Sequence, residues 1–160
     1  MTDSPATRPI LVPVDFSPHS EAALAFAAEL ADYRRGALLI LHVVHDPFSM
    51  PGYYGRALKK KQLHRIEDGA AEMFDEFVAA VRARHPDLAT LQTAETLLVK
   101  GLPSTRILEV AERQAAPQIV MGSKGLTGLR HLLIGSVAER VVHRAKTPVT
   151  IVKSPRTRTP

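Results

Sequence analysis

Five short, almost continuously apolar runs divide the chain, and between them apolar residues recur at helical spacing. The runs are PILVPVD (9–15), ALLILHVVHD (37–46), LQTAETLLVKG (91–101), PQIVMG (117–122) and TPVTIVK (147–153). A strand with one face in water alternates apolar and polar residues, whereas a strand covered on both faces need not. Only the third run partly alternates. Runs of this kind alternating with helices specify a parallel sheet with helices on both faces. The expected fold is α/β, a doubly wound sheet of five strands.

The intervening stretches carry helix punctuation. Residues 17–36 open with Ser17 as N-cap and Pro18 at the first helical position, and Gly36 falls just past the end behind Arg34 and Arg35. A stretch with two prolines and two glycines (47–56) reads as a loop. From 57 to 84, Leu63, Ile66, Ala70, Met73, Phe74, Phe77 and Val81 share a helical face that stops before Pro86. Residues 103–116 form a helix with Ile107, Leu108 and Ala111 inward, and a last helix runs from Ser136 to about Arg144.

At 160 residues, 45% hydrophobic and 23% charged, the chain is expected to be one domain, ordered over about 8–153, with flexible ends. Without cysteine it has neither disulfides nor thiolate metal sites. No apolar run approaches membrane length and no secretory signal opens the chain, so a cytoplasmic location is expected. The net charge of +5 is concentrated in Arg56, Lys59, Lys60, Lys61 and Arg65, and in six basic residues after Glu139 with no acid among them. Aromatics are only 5% and none interleaves with the later cluster as a base-stacking platform, so a nucleic-acid partner is not expected.

Doubly wound sheets bind ligands at the carboxyl ends of their strands, where strand order reverses. The most glycine-dense loop able to reach that edge is MGSKGLTGLRHLLIGSVAER (121–140). A helix starting at Gly135-Ser136 offers main-chain N–H groups and a positive dipole end to an anion. Glycines at 122 and 125 let further N–H groups turn to the same point. Neither a P-loop nor a GxG after the first strand is present. Two readings stay open here: an anion-friendly loop, or glycines that only permit tight turns. Asp15, closing the first strand, is placed to accept hydrogen bonds from ribose hydroxyls. Its alternative use is a turn or a cap, a role that Ser17 already fills.

These residues resemble the universal stress proteins, in their adenine-nucleotide-binding branch, over roughly residues 8–153. The resemblance rests on ILVPVDFSPHSEAAL, LILHVV, KGLPSTRILEVAE and IVMGSKGLTGLRHLLIGSVAERVVHRAKTPVTIV. The family's nucleotide signature, G-x2-G-x9-G-[ST], is met by Gly122, Gly125, Gly135 and Ser136. The resemblance implies strand order 3-2-1-4-5 and bound ATP, with any Mg²⁺ held through the phosphates. It implies that Asp15 holds the ribose, that the main chain of Val43 meets the adenine edge, and that Val14 packs near the base, with Pro13 also in the binding site. Gly122 and Gly125 would line the ribose and phosphates, while Gly135, Ser136 and Val137 would donate to the phosphates. Lys124 would add a phosphate contact or face solvent, and Arg130 and His131 would make surface or dimer contacts. Val14 departs from the family, where a polar or small residue is common. The last strand would pair with its copy in a homodimer buried around Val149, Ile151 and Val152, since an exposed apolar edge is a liability.

Catalysis is not expected beyond slow hydrolysis of bound ATP. Near the glycine loop no acid is suited to hold a metal other than Asp15, which is committed to the ribose, and phosphoryl transfer needs positioned charge. The seven histidines show no metal-ligand spacing; His42 and His45, three apart on a strand, point to opposite faces. His42 reads as an interior histidine. The expected function is that of a nucleotide-binding stress-response regulator. The alternatives are a stress protein that retains no nucleotide, and a basic interaction module acting through Lys59–Lys61 and the tail.

Overall fold

The computed structural model describes residues 8–45, 60–125 and 133–154, with side chains of 60–65 excepted. The expected loop at 47–56, Arg130, His131 and both chain ends lie outside the described residues. The strands are β1 (Pro9–Pro13), β2 (Ala37–His45), β3 (Glu95–Gly101), β4 (Ile119–Gly122) and β5 (Val149–Val152). All pair in parallel in the order β3-β2-β1-β4-β5, the order that the resemblance implies. The helices are α1 (Pro18–Arg34), α2 (Lys60–Arg84), α3 (Ala89–Thr93), α4 (Pro103–Arg113) and α5 (Ser136–Arg144).

The two-residue period of a strand sorts the core onto two faces. Ile10, Val12, Leu38, Ile40 and Val120 pack with Ala23, Leu24, Ala27 and Ala28 of α1, with Phe74, Val78 and Val81 of α2, and with Leu91 of α3. Their neighbours Leu11, Leu39, Leu41, Ile119 and Met121 turn the other way, onto Ile107, Val110 and Ala111 of α4 and Ala138 and Val141 of α5. Full burial of one such aliphatic side chain contributes about 1.5–3 kcal/mol. The ion pairs Arg84–Glu21, Arg106–Glu109 and Lys146–Glu112 are largely solvated, and such pairs contribute about 0–1 kcal/mol each. Packing on the two faces therefore dominates.

Two local expectations are corrected, and the end of the first helix is resolved more finely. Residues 91–94 do not open the third strand, which starts at Glu95. Leu91 is instead fully buried on the short helix α3. That turn is anchored from outside: the Thr90 N–H donates to Asp32 Oδ1 at 2.7 Å, and Arg82 donates to the carbonyls of Leu91 and Ala94. The Thr90 hydroxyl reaches the same carboxylate and holds the Asp32 acid below its ordinary range. On α4 the buried apolar residues are Ile107, Val110 and Ala111, with Leu108 only partly covered. At the end of α1 the left-handed residue is Arg35 (φ 52°), one before Gly36. The Gly36 N–H then reaches back to the Ala31 carbonyl at 2.8 Å.

Candidate functional site

Strands β1 and β4 lie side by side, but their continuations part. The chain leaves β1 for α1 on one face, and β4 is followed by α5 on the other. The crevice that opens between such connections is where doubly wound sheets take ligands. The cavity there measures about 480 Å³, within the usual range for small-molecule sites. All ten candidate residues line it: Pro13, Val14, Asp15, Val43, Gly122, Lys124, Gly125, Gly135, Ser136 and Val137. Leu41, Pro103, Ile107, Met121 and Ala138 add apolar wall that the sequence reading did not assign to the site. Met121 had a signal, since it immediately precedes Gly122 on the same strand. Ile107 was legible only as core.

The β1 wall is locked locally. The Val14 N–H donates to the Leu41 carbonyl at 2.8 Å, continuing the β2 contact past the end of β1. Asp15 follows, and its Oδ1 accepts from the Ser17 N–H at 3.1 Å and from the Ser17 hydroxyl at 2.5 Å. Ser17 is also the N-cap of α1, accepting from the Ser20 N–H at 3.1 Å. The turn, the alternative use of Asp15, is therefore formed even though Ser17 fills the cap: Ser17 caps the helix and Asp15 closes a turn over it. Between them Phe16 sits at φ 67°, a conformation that costs a bulky residue of order 1–3 kcal/mol. Its ring is held against His42, with centroids 4.3 Å apart, and against Phe77 at 5.5 Å.

His42 packs inward on Phe16 and Phe74, as its sequence setting suggests, and also lines the cavity. Its Nδ1 lies 2.8 Å from the Val14 carbonyl. A carbonyl only accepts, so the neutral ring carries its proton there. Burial pushes its pKa below the ordinary 6.5, against the opposing pull of the Val14 carbonyl and the Asp15 charge.

The opposite wall is the glycine loop and the start of α5. Gly135 is the N-cap and Ser136 the first helical residue. The Gly135 N–H is taken by the Ser123 carbonyl at 2.7 Å, and the first intrahelical bond runs from the Glu139 N–H to the Gly135 carbonyl. The N–H groups of Ser136, Val137 and Ala138 thus precede the helical ladder, at the positive end of the dipole. An acidic side chain on one wall and a helix N-terminus on the other suit a ligand with hydroxyls at one end and an anion at the other.

The glycines themselves make room for protein. A β-carbon on Gly122 would lie 2.7 Å from the main-chain carbon of His19 in α1. One on Gly125 would lie 2.6 Å from Asp15 Oδ2. Among the described residues no three His, Asp or Glu side chains gather as a metal site, and no helix is long and apolar enough to cross a membrane.

Residues 6–153 match the model of the universal stress protein family. The chain belongs to that family. A universal stress protein of Thermus aquaticus is 32% identical over 146 residues, covering 91% of this chain and 98% of that one. Another, from Methanocaldococcus jannaschii, is 49% identical over 61 residues, which is 38% of this chain and only 36% of that protein. Among solved structures, universal stress protein UspA of Lactobacillus plantarum superposes with a TM-score of 0.74 at 27% identity, covering 93% of this chain and 99% of that one. A universal stress protein of Archaeoglobus fulgidus solved in complex with dAMP gives 0.60 at 27% identity, covering 93% and 100%. One in complex with cAMP gives 0.59 at 25% identity, covering 94% and 100%.

Proposed function

We propose that the protein binds an adenine nucleotide, ATP, in the β1/β4 cavity and acts as a cytoplasmic stress-response regulator. The observation that carries this reading is the pairing of Asp15 with the α5 N-terminus across one cavity at the switch point. Asp15 accepts the ribose hydroxyls. The Val43 main chain meets the adenine edge, and Pro13 and Val14 pack beside the base. Gly122 and Gly125 line the ribose and phosphates, with Gly135, Ser136 and Val137 around the phosphate chain and Lys124 adding charge. The phosphates carry Mg²⁺, and hydrolysis is slow and incidental. Relatives solved with dAMP and cAMP support the ligand class.

The last strand supplies a homodimer contact around Val149, Ile151 and Val152. Among the described residues β5 is the outermost strand of the sheet and pairs with β4 alone, which supports a second copy on the other side.

The test is to denature freshly purified protein and identify the released small molecules, then to titrate the emptied protein with ATP. Co-purified adenine nucleotide, and an Asp15→Ala variant binding about tenfold more weakly, is the expected result. Protein that releases no nucleotide and gives no titration signal with ATP refutes the reading.

A further inference from the structure

Ser17 is almost fully buried at the start of α1, with a hydroxyl that meets two walls of the cavity. A helix cap needs only its oxygen lone pairs: the Ser20 N–H donates to Ser17 Oγ at 3.1 Å. The hydroxyl proton is left over. It has two acceptors in reach, the Asp15 carboxylate at 2.5 Å and the Lys124 carbonyl at 3.4 Å. The short, charge-assisted bond to Asp15 wins. The Ser17 N–H adds a second donor to the same oxygen at 3.1 Å, and Ser20 Oγ braces the turn by accepting from the Asp15 N–H at 3.3 Å and donating to the Ser17 carbonyl at 3.0 Å.

The two carboxylate oxygens of Asp15 are therefore differently placed. Oδ1 is held by Ser17, while Oδ2 lies against the bare α-carbon of Gly125, 2.6 Å from where a β-carbon would stand. With Oδ1 tied, rotation of the carboxyl about its own axis is opposed and Oδ2 stays on the glycine-loop side.

We propose that Ser17 is a positioning residue for the ligand site: its hydroxyl fixes the Asp15 carboxylate so that the carboxylate can select ligands with ribose hydroxyls. This rests on the reading of the cavity as a nucleotide site and adds a residue outside the glycine signature. The cap and the positioning role separate by substitution. Ser17→Thr keeps both. Ser17→Gly keeps a tolerable helix start, since glycine is accepted at an N-cap, but has no proton to give to Asp15.

The experiment is calorimetric titration of the nucleotide-free full chain with ATP and with 2′,3′-dideoxy-ATP, circular dichroism confirming that each variant is folded. Wild type is expected to prefer ATP about tenfold, the effect of a charge-assisted hydrogen bond. Asp15→Ala and Ser17→Gly lose most of that preference with little change toward the dideoxy compound, and Ser17→Thr retains it. A loss of helix stability alone would weaken both ligands equally. If Ser17→Gly does not fold, Ser17→Ala is read in its place. Wild-type preference kept in folded Ser17→Gly or Ser17→Ala, but lost in Asp15→Ala, overturns the positioning role and leaves the nucleotide reading standing. Equal binding of both compounds by wild type overturns the positioning role together with the Asp15–ribose contact, and leaves only nucleotide binding in the cavity standing. No binding of either compound by wild type overturns the nucleotide reading itself, and this inference with it.

Discussion

At Gly122 any side chain meets the main chain of His19, with contacts of 2.7–2.9 Å to its carbonyl carbon, carbonyl oxygen and β-carbon. The helix α1 rides directly over this residue, so even a methyl group must push α1 away from β4. Gly122→Ala is expected to lower stability by roughly 1–3 kcal/mol, seen as a lower urea midpoint with or without nucleotide. Among the described residues Gly125→Ala meets only the Asp15 carboxylate, a side-chain end. It should change stability much less, and weaken ATP binding by displacing Asp15. Equal loss of stability in the two variants would contradict this division of labour. His42 carries a second expectation at this scale. Its pKa is lowered in the folded state by burial, so the unfolded chain takes up the proton first as pH falls. The contribution to stability is complete above about pH 6.5, the ordinary value, and declines as pH drops below it toward the folded value. His42→Asn keeps a donor for the Val14 carbonyl but does not titrate. Denaturation midpoints from pH 7.5 to 5 should fall more steeply in wild type than in this variant; parallel curves would refute the assignment.

Among the elements, α1 and α4 both end in a left-handed residue that is not glycine: Arg35 at φ 52° and Ala115 at φ 46°. In each case the next N–H reaches back five residues, Gly36 to Ala31 and Ala116 to Ala111. The left-handed conformation costs an L-residue about 1–2 kcal/mol, and glycine escapes it at an entropic cost of about 0.5–1 kcal/mol. Ala115→Gly is therefore expected to raise stability by roughly 0.5–1 kcal/mol, measured as a higher melting temperature; a lower one would mean that the turn is not strained. Gly36 falls just past the helix end, as its place in the sequence indicates, but the left-handed residue is Arg35. Helix α3 was the element least visible in sequence. Its five residues are too few for a periodic signal, and what holds them is tertiary: Leu91 in the core, Asp32 on Thr90, and Arg82 on the last carbonyls. A window centred on Leu97–Val99 extends naturally backwards through Leu91 as strand, because nothing local separates the two.

For the whole molecule, the proposed homodimer turns on the outer edge of β5. The Ile119 N–H bonds the Pro148 carbonyl and the Ser123 N–H bonds the Val152 carbonyl. By the two-residue alternation of a parallel ladder, Val149 and Ile151 turn their main-chain groups to the outer edge. A second copy would use those groups. Light scattering is expected to give about twice the 17.5 kDa chain mass, and Ile151→Pro, which removes an outward N–H and spares the β4 ladder, to give the monomer. A wild-type monomer at micromolar concentration would refute the homodimer.

The parallel pairing, the two-faced burial and the gathering of Asp15, Gly122, Gly125, Gly135 and Ser136 at one edge were legible in the sequence. They follow from local rules: continuous apolar runs, caps, and the chirality that puts strand ends and helix starts on the same side. Family resemblance supplied the strand order that those rules alone leave open. What each glycine accommodates was not legible. Bare backbone looks the same whether a ligand, a helix or a carboxylate fills the space beside it, and only the packing of α1 on β4 and of Asp15 on Gly125 assigns it. The same holds for Ser17, whose cap is written in SPHSE but whose proton finds Asp15 only once the turn at Phe16 has closed. Contacts between neighbours in the chain can be read from their spacing. Those between distant segments depend on how α1, β4 and the glycine loop come together, and that is settled by packing.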